Sequence, residues 1–328
     1  YCYAGRDDRR DVGLYFSKML MWFGFAVLAE TAVWYIRADL DPSAWGDVQR
    51  DFGWGIENNA ATILSLTAPM CFYLASRYRW GGIYALCGVA QYIGIILSYS
   101  RGGILMAVVT GPVCAVCALV KSVDRKRLLM FYIAVIVAAA AVGVLFGKIS
   151  DVIGSLLGQG FGWSNRDLLY QEAWRLFTEH PFLGVGLGYV GVNFDINTIQ
   201  FYWFHSTLFQ VVASMGIIGA AAYAVYYVAR FRIVCRRLSN PFSLFTLVAW
   251  LGFEGYSLMD TGTFVPFPTM ALVLVTAGVL EIANSRPQFK GEPDEYNRTF
   301  ARGGAKAAAR RYAAFTAEYT RKSASAAA

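Results

Sequence analysis

Charge is what this chain has least of. Only 16% of its 328 residues are Asp, Glu, Lys or Arg, and 57% are hydrophobic, against about 25% charged in an ordinary soluble protein. A soluble enzyme is excluded on that ground, and most of the surface is expected to face lipid. Histidine is scarcer still: His180 and His205 are the two in the chain. With no H-E-x-x-H and only scattered acids, neither a zinc site nor a divalent-cation site is expected, and no cofactor. G-x-S-x-G and the P-loop are absent as well. The six cysteines, Cys2, Cys71, Cys87, Cys114, Cys117 and Cys235, sit mostly within apolar runs, and packing is their expected role. No signal peptide is visible, and the first residue is Tyr1, so a processed or missing N-terminal portion is expected.

The apolar runs are long and continuous rather than alternating, which argues for helices and against a β-barrel. Eight candidate spans follow, at about 13–36, 60–77, 81–99, 102–120, 128–147, 206–229, 243–259 and 265–283. The expected fold is all-α, a polytopic transmembrane bundle of about eight spans over residues 1–284, with the long segment 148–205 as an extracytoplasmic loop. The basic residues orient it. Arg77 and Arg79, then Lys121, Arg125, Lys126 and Arg127, then Arg230, Arg232, Arg236 and Arg237 lie in three intervening segments with one acid, Asp124, so those segments are read as cytoplasmic. Segments 37–59 and 148–205 are richer in acids and are read as facing outward. The net charge of +7 is thus a matter of topology, and no nucleic-acid partner is expected. The basic, Ala-rich tail 285–328 is read as cytoplasmic and partly helical, in contact with lipid headgroups.

Almost everything polar and unusual falls on the outer side. Ser164 to Phe177, SNRDLLYQEAWRLF, has a capping residue, early acids and apolar residues at helical spacing, as expected of an amphipathic helix lying on the membrane surface. His180 and Pro181 end it, and a glycine-rich turn, Gly184-Val185-Gly186-Leu187-Gly188, follows. Arg101, in Ser98-Tyr99-Ser100-Arg101-Gly102-Gly103, is the charge of a tight outer turn. It either snorkels to the interface or, with two glycines opening the backbone, grips an anionic group such as phosphate. Arg166, in the first turn of the surface helix, either pairs with an acid such as Asp167 or adds its charge to the dipole of a helix N-terminus that favours an anion. His205 stands where the chain re-enters the membrane. It either caps a helix or, as a residue type that titrates near neutral pH, serves as a general base on an acceptor hydroxyl. His180, beside a proline, is read as a helix cap.

Taken together, these motifs resemble the O-antigen ligase and polymerase superfamily. The residues that carry the resemblance are Ser100-Arg101-Gly102-Gly103, then Arg166 with Trp174 and His180 through Gly188, then His205-Ser206-Thr207-Leu208-Phe209-Gln210 leading into Met215-Gly216-Ile217-Ile218-Gly219. The earlier stretch Gly55-Ile56-Glu57-Asn58-Asn59-Ala60-Ala61 is similar to an asparagine-containing helix start of the same family. The resemblance covers about residues 50–280. It implies a membrane glycosyltransferase of surface polysaccharide biosynthesis, working at the outer face of the cytoplasmic (inner) membrane. The donor it implies is a glycan on undecaprenyl pyrophosphate, and the acceptor is a lipid, a glycan or a protein. By resemblance, Arg101 and Arg166 hold the pyrophosphate and His205 activates the acceptor hydroxyl without a metal. Asn58, Asn59, Ser100, Trp174 and Asp260 are the further pocket candidates. Two departures stand out: the family usually has more than eight spans, and it commonly has Asn where this chain has Ser206.

The competing class is a transporter or flippase for lipid-linked or anionic substrates. It would need polar groups deep in the spans. Lys18, Glu30 and above all Glu254, in Gly252-Phe253-Glu254-Gly255, are the candidates.

Overall fold

The computed structural model describes residues 11–38, 51–53, 55–146, 166–187, 189–192, 199–201, 203–260, 262, 264 and 267–285. Nine helices carry the fold among them: α1 (Val12–Ala38), α2 (Glu57–Arg77), α3 (Gly81–Leu97), α4 (Arg101–Lys121), α5 (Arg125–Phe146), α6 (Arg166–Glu179), α7 (Thr207–Cys235), α8 (Pro241–Ser257) and α9 (Phe267–Ser285). Two short antiparallel ladders join them. β1 (Asp51–Phe52) pairs with β2 (Gly55–Ile56), and β3 (Val190–Val192) with β4 (Ile199–Phe201). The helical expectation holds. Helices α4, α7 and Val12–Arg37 of α1 are long and apolar enough to cross a membrane, and Gly81–Leu97 and Thr269–Ser285 are shorter apolar helices.

Helix α2 is the centre of the bundle. Ala61, Ile63, Leu64, Ala68, Leu74 and Ala75 are fully buried along it. Its small residues let neighbours come close, as they do where membrane helices lack a hydrophobic force to bring them together. A Cβ on Gly103 of α4 would stand 2.9 Å from the Cβ of Ala61. One polar knot crosses this core: Gln91 of α3 accepts from the Thr67 hydroxyl (2.7 Å) and donates to the Met21 carbonyl (3.0 Å), joining α1, α2 and α3. Each buried polar atom in the knot thus has a partner, which the low dielectric demands.

The helix ends gather at two opposite poles. At one, Asn240 caps α8 by accepting from the Phe242 N–H (2.9 Å), with Pro241 at the first helical position. Asn284 of α9 accepts there from both Asn240 and Ser243 at 3.0 Å. The other pole holds the starts of α2, α4 and α7 and the end of α8.

Three features differ from the sequence expectation. First, α7 is not one straight span from about 206 to 229. It runs to Cys235 and breaks at Gly216 (φ 60°, ψ −163°). The break is clasped by the glycine turn: Val185 and Gly186 donate to the carbonyls of Ala213 and Ser214 (3.0 and 2.8 Å), and Ile217 and Ile218 donate to those of Pro181 and Phe182 (2.8 and 3.3 Å). Backbone meets backbone here because Gly184 and Gly216 have no side chain. A Cβ would stand 2.4 Å from Ser214 at the first and 2.5 Å from Phe182 at the second. Second, α6 does not spread its apolar face on lipid, since Ala173 and Leu176 are buried against Phe204 and Ala213. Covering the first half of α7 removes the same apolar area from water. Ser164 and Asn165 lie outside the described residues. Third, Arg230 is not in a polar segment: it is buried within α7 and paired with Glu254 of α8.

Candidate active site

Two strained turns face each other at the pole where α2, α4 and α7 begin. Among the described residues, Tyr99 (φ 56°) and His205 (φ 46°) are the non-glycine residues with left-handed backbone, a conformation that costs about 1–2 kcal/mol per residue. Such strain persists where the surroundings hold it, and it clusters at functional sites. Tyr99 precedes Ser100, which stands at the N-cap of α4, so Arg101 begins that helix with its side chain exposed. The turn is braced from within, as the Ser100 N–H donates to the Ser98 hydroxyl (3.2 Å). Gly102 leaves room for the ring of Tyr256, which would stand 3.1 Å from a Cβ there.

His205 is held from three sides. The Phe204 N–H before it donates to the Gln210 side chain (3.1 Å), which fixes the start of α7. Its own carbonyl accepts from the Tyr170 hydroxyl of α6 (3.2 Å), and the Tyr170 ring stacks on Phe209 with centroids 4.3 Å apart. Burial pushes the Tyr170 phenol above its usual pKa while Arg166 nearby opposes the shift, so the hydroxyl keeps its proton and donates. The third hold is on the imidazole, whose Nδ1 lies 3.3 Å from Oδ1 of Asp260. A carboxylate only accepts, so Nδ1 carries the hydrogen and Nε2 is left with the lone pair. The histidine side chain is 36% exposed and that of Asp260 11%, so the imidazole stays accessible while its partner is shielded.

The carboxylate is the junction of the site. Its second oxygen, Oδ2, accepts from the Tyr256 hydroxyl (3.2 Å), which also lies 3.2 Å from the Ser100 hydroxyl and 3.4 Å from the Asn58 carbonyl. Arg166 reaches the same loop by donating through Nη1 to the carbonyl of Met259, the residue before Asp260. The structure therefore connects His205, Asp260, Ser100, Arg166 and the Asn58 backbone, drawn from five separate stretches of chain. Arg101 adjoins the group as the next residue after Ser100. Asn59 is half-buried at the start of α2. Trp174 stands apart: it is exposed on α6 two turns beyond Arg166, with its ring against Phe177 (5.4 Å).

Sequence reasoning did not single out Tyr256 or Tyr170. The four-residue step from Tyr256 to Asp260 at the end of an apolar helix was the available signal. A tyrosine there has the look of any interfacial aromatic.

Residues 83–224 match the family model described as O-antigen ligase. The match supports the O-antigen ligase and polymerase superfamily for this segment. The matched stretch runs from α3 through the Ser100–Arg101 turn, α6, the clasp and His205 into α7 beyond Gly216. It thus contains both strained turns, while Asp260 and Tyr256 lie C-terminal to it. The comparison with curated proteins returned no match. Surface polysaccharide biosynthesis by glycan transfer is the activity that this match supports, and a lipid-linked glycan and an acceptor are the partners it implies in general.

Proposed function

We propose that the chain is a membrane glycosyltransferase that moves a glycan from undecaprenyl pyrophosphate to an acceptor hydroxyl at the outer face of the cytoplasmic membrane. The observation that carries this reading is the His205–Asp260 contact, set at the same pole as Arg166 and the Ser100–Arg101 turn. In the proposed reaction, His205 Nε2 takes the proton of the acceptor hydroxyl as its oxygen attacks the anomeric carbon. The bond from that carbon to the pyrophosphate oxygen breaks, and undecaprenyl pyrophosphate leaves as an anion with inversion at the carbon. Asp260 steadies the imidazolium that forms. Arg101 and Arg166 balance the charge on the leaving group, so the reaction is metal-independent. Asn58, Asn59, Ser100 and Trp174 border the path of donor and acceptor. Eight helices cross the bilayer in this reading, with α6 and the clasp outside the crossing bundle, residues 1–284 forming the transferase domain and the tail 285–328 cytoplasmic.

The residues of the transport reading each have a partner. Glu254 is engaged by Arg230, the Lys18 ammonium lies over the ring of Tyr78 at 5.0 Å, and Glu30 accepts from the Gly53 N–H.

The test is to incubate purified protein and its His205→Ala variant with an undecaprenyl-pyrophosphate oligosaccharide, with EDTA present, and separate the products by size. A ladder from the wild type alone marks a polymerase. Single transfer after a lipid or protein acceptor is added marks a ligase. Products from the variant at the wild-type rate would remove His205 from the mechanism, and no product from either protein would return weight to transport.

A further inference from the structure

Tyr256 occupies the last turn of α8, 1% exposed, with its hydroxyl between two parts of the site. The oxygens around it include Oδ2 of Asp260 at 3.2 Å, Oγ of Ser100 at 3.2 Å, the Asn58 carbonyl at 3.4 Å and the Thr62 hydroxyl. A phenol has one proton to give. The Asn58 carbonyl already accepts from the Thr62 hydroxyl at 2.7 Å, and an ionised acceptor binds a donor about twice as strongly as a neutral one. The proton therefore goes to Asp260, and with the Thr62 hydroxyl hydrogen given to Asn58 the phenol oxygen accepts from Ser100. Hydrogen bonds then run from Ser100 to Tyr256 to Asp260 Oδ2, while His205 Nδ1–H meets Oδ1.

From this arrangement we infer that Tyr256 is a positioning residue. Its hydroxyl fixes one oxygen of Asp260 so that the other faces His205, and ties that carboxylate to the N-cap of the helix that opens with Arg101. The base and the anion-binding turn are thereby kept in one register. The inference rests on the glycosyl-transfer reading for its catalytic consequence, though not for the geometry. A plain packing role would use the ring alone, which covers Gly102, and would leave the hydroxyl without effect.

Tyr256→Phe separates the two, because the ring stays and the proton goes. Without its donor, Asp260 holds its charge more openly and draws the His205 proton more strongly. Among the described residues, Arg166 and Tyr170 of α6 also lie by the His205–Asp260 pair, and the substitution changes neither. In the full-length protein in lipid nanodiscs, kcat should fall about 10- to 100-fold with the donor KM within about twofold of wild type. The acidic limb of the pH profile should move to higher pH. A second measurement is independent of turnover: nitrogen NMR of histidine-labelled protein carrying His180→Gln, which leaves His205 as the one histidine of the chain. Its titration midpoint should rise in Tyr256→Phe. An unchanged midpoint overturns the inference whatever the activity does. A raised midpoint in a protein that makes no product would leave the inference standing and remove the proposed reaction instead.

Discussion

Arg230 and Glu254 form an ion pair inside the helical bundle, joining α7 to α8. The guanidinium is boxed by rings, with its centre 5.1 Å from the centroid of Trp250 and 5.3 Å from those of Tyr226, Tyr227 and Phe231. Such faces attract a cation, most strongly when water is excluded. The pair anchors α8 two residues before Tyr256 and six before Asp260, so it sets the height at which the site's carboxylate emerges.

Glu254→Gln should therefore destabilise the protein strongly, by about 3–5 kcal/mol, because it strands a buried charge. Replacing both partners, Arg230→Met with Glu254→Leu, should recover much of that loss. Thermal unfolding in detergent checks both. Equal melting temperatures for the single and double variants would show that the pairing itself contributes nothing.

Asp260→Asn keeps the shape of the side chain and removes its charge. Turnover should fall by about 10²–10⁴, the range over which a positioned acid–base group contributes, with little change in the melting temperature. Single-turnover kinetics with excess enzyme give the comparison, and a loss below threefold would show that His205 works without this partner.

Gly216→Ala should destabilise the protein by more than about 1 kcal/mol, because the new methyl group meets the Phe182 backbone and the residue sits at φ 60°. Gly186→Ala is the control. It also has a positive φ, 86°, but nothing lies within 4 Å of its Cβ position, so only the backbone cost remains. Limited proteolysis should cut the chain near 181–187 much faster in Gly216→Ala than in Gly186→Ala. Equal rates would mean that the clasp tolerates a side chain.

Arg166→Lys tests whether one guanidinium serves two purposes. An arginine can hold the Met259 carbonyl through one nitrogen and present others to a phosphate, while a lysine offers a single point charge. The donor KM should rise at least about tenfold. An unchanged KM would assign Arg166 to the loop alone.

Glu172 gives a prediction for pH. Hydrogen bonds from Arg175 hold its carboxyl below the usual value, the Arg175–Glu172 contacts being 2.8 and 2.7 Å. A depressed folded pKa means that the stabilisation is present above the unfolded value of about 4.3 and is lost as pH falls through the folded one. Arg175 is half exposed, so solvent screens the pair and the effect is small. Glu172→Gln should lower the melting temperature slightly at pH 7, by an amount that shrinks as pH falls below about 4.3. A difference that does not shrink with acid would assign the loss to packing.

The helices were legible because continuous apolar length leaves the backbone few other choices, and three of them are long and apolar enough to cross a membrane. Arg101, Arg166 and His205 stood out for their chemistry in a chain short of both charge and histidine. The partners of those residues were not legible. Asp260 is 55 residues from His205, and nothing in either local sequence states that they meet. Tyr256 is one of 20 tyrosines, most of them suited to a membrane interface. The Arg230 reading failed for a related reason: counting basic residues assigns a segment to one side of the membrane, but cannot see a glutamate on the neighbouring helix. Gly216 passed as an ordinary membrane-helix glycine because its break needs a turn some thirty residues upstream to fill it.

The clasp at Gly216 makes the chain from Pro181 to Ile218 a closed circuit. β3 and β4 lie between its two ends. The segment between Leu187 and Trp203 is thus a connection between two pinned points. Doubling the length of such a connection costs only about 0.6 kcal/mol of closure entropy. In the proposed transfer, residues gained or lost there would leave His205 in place, so that reach toward different acceptors could diverge around a fixed imidazole.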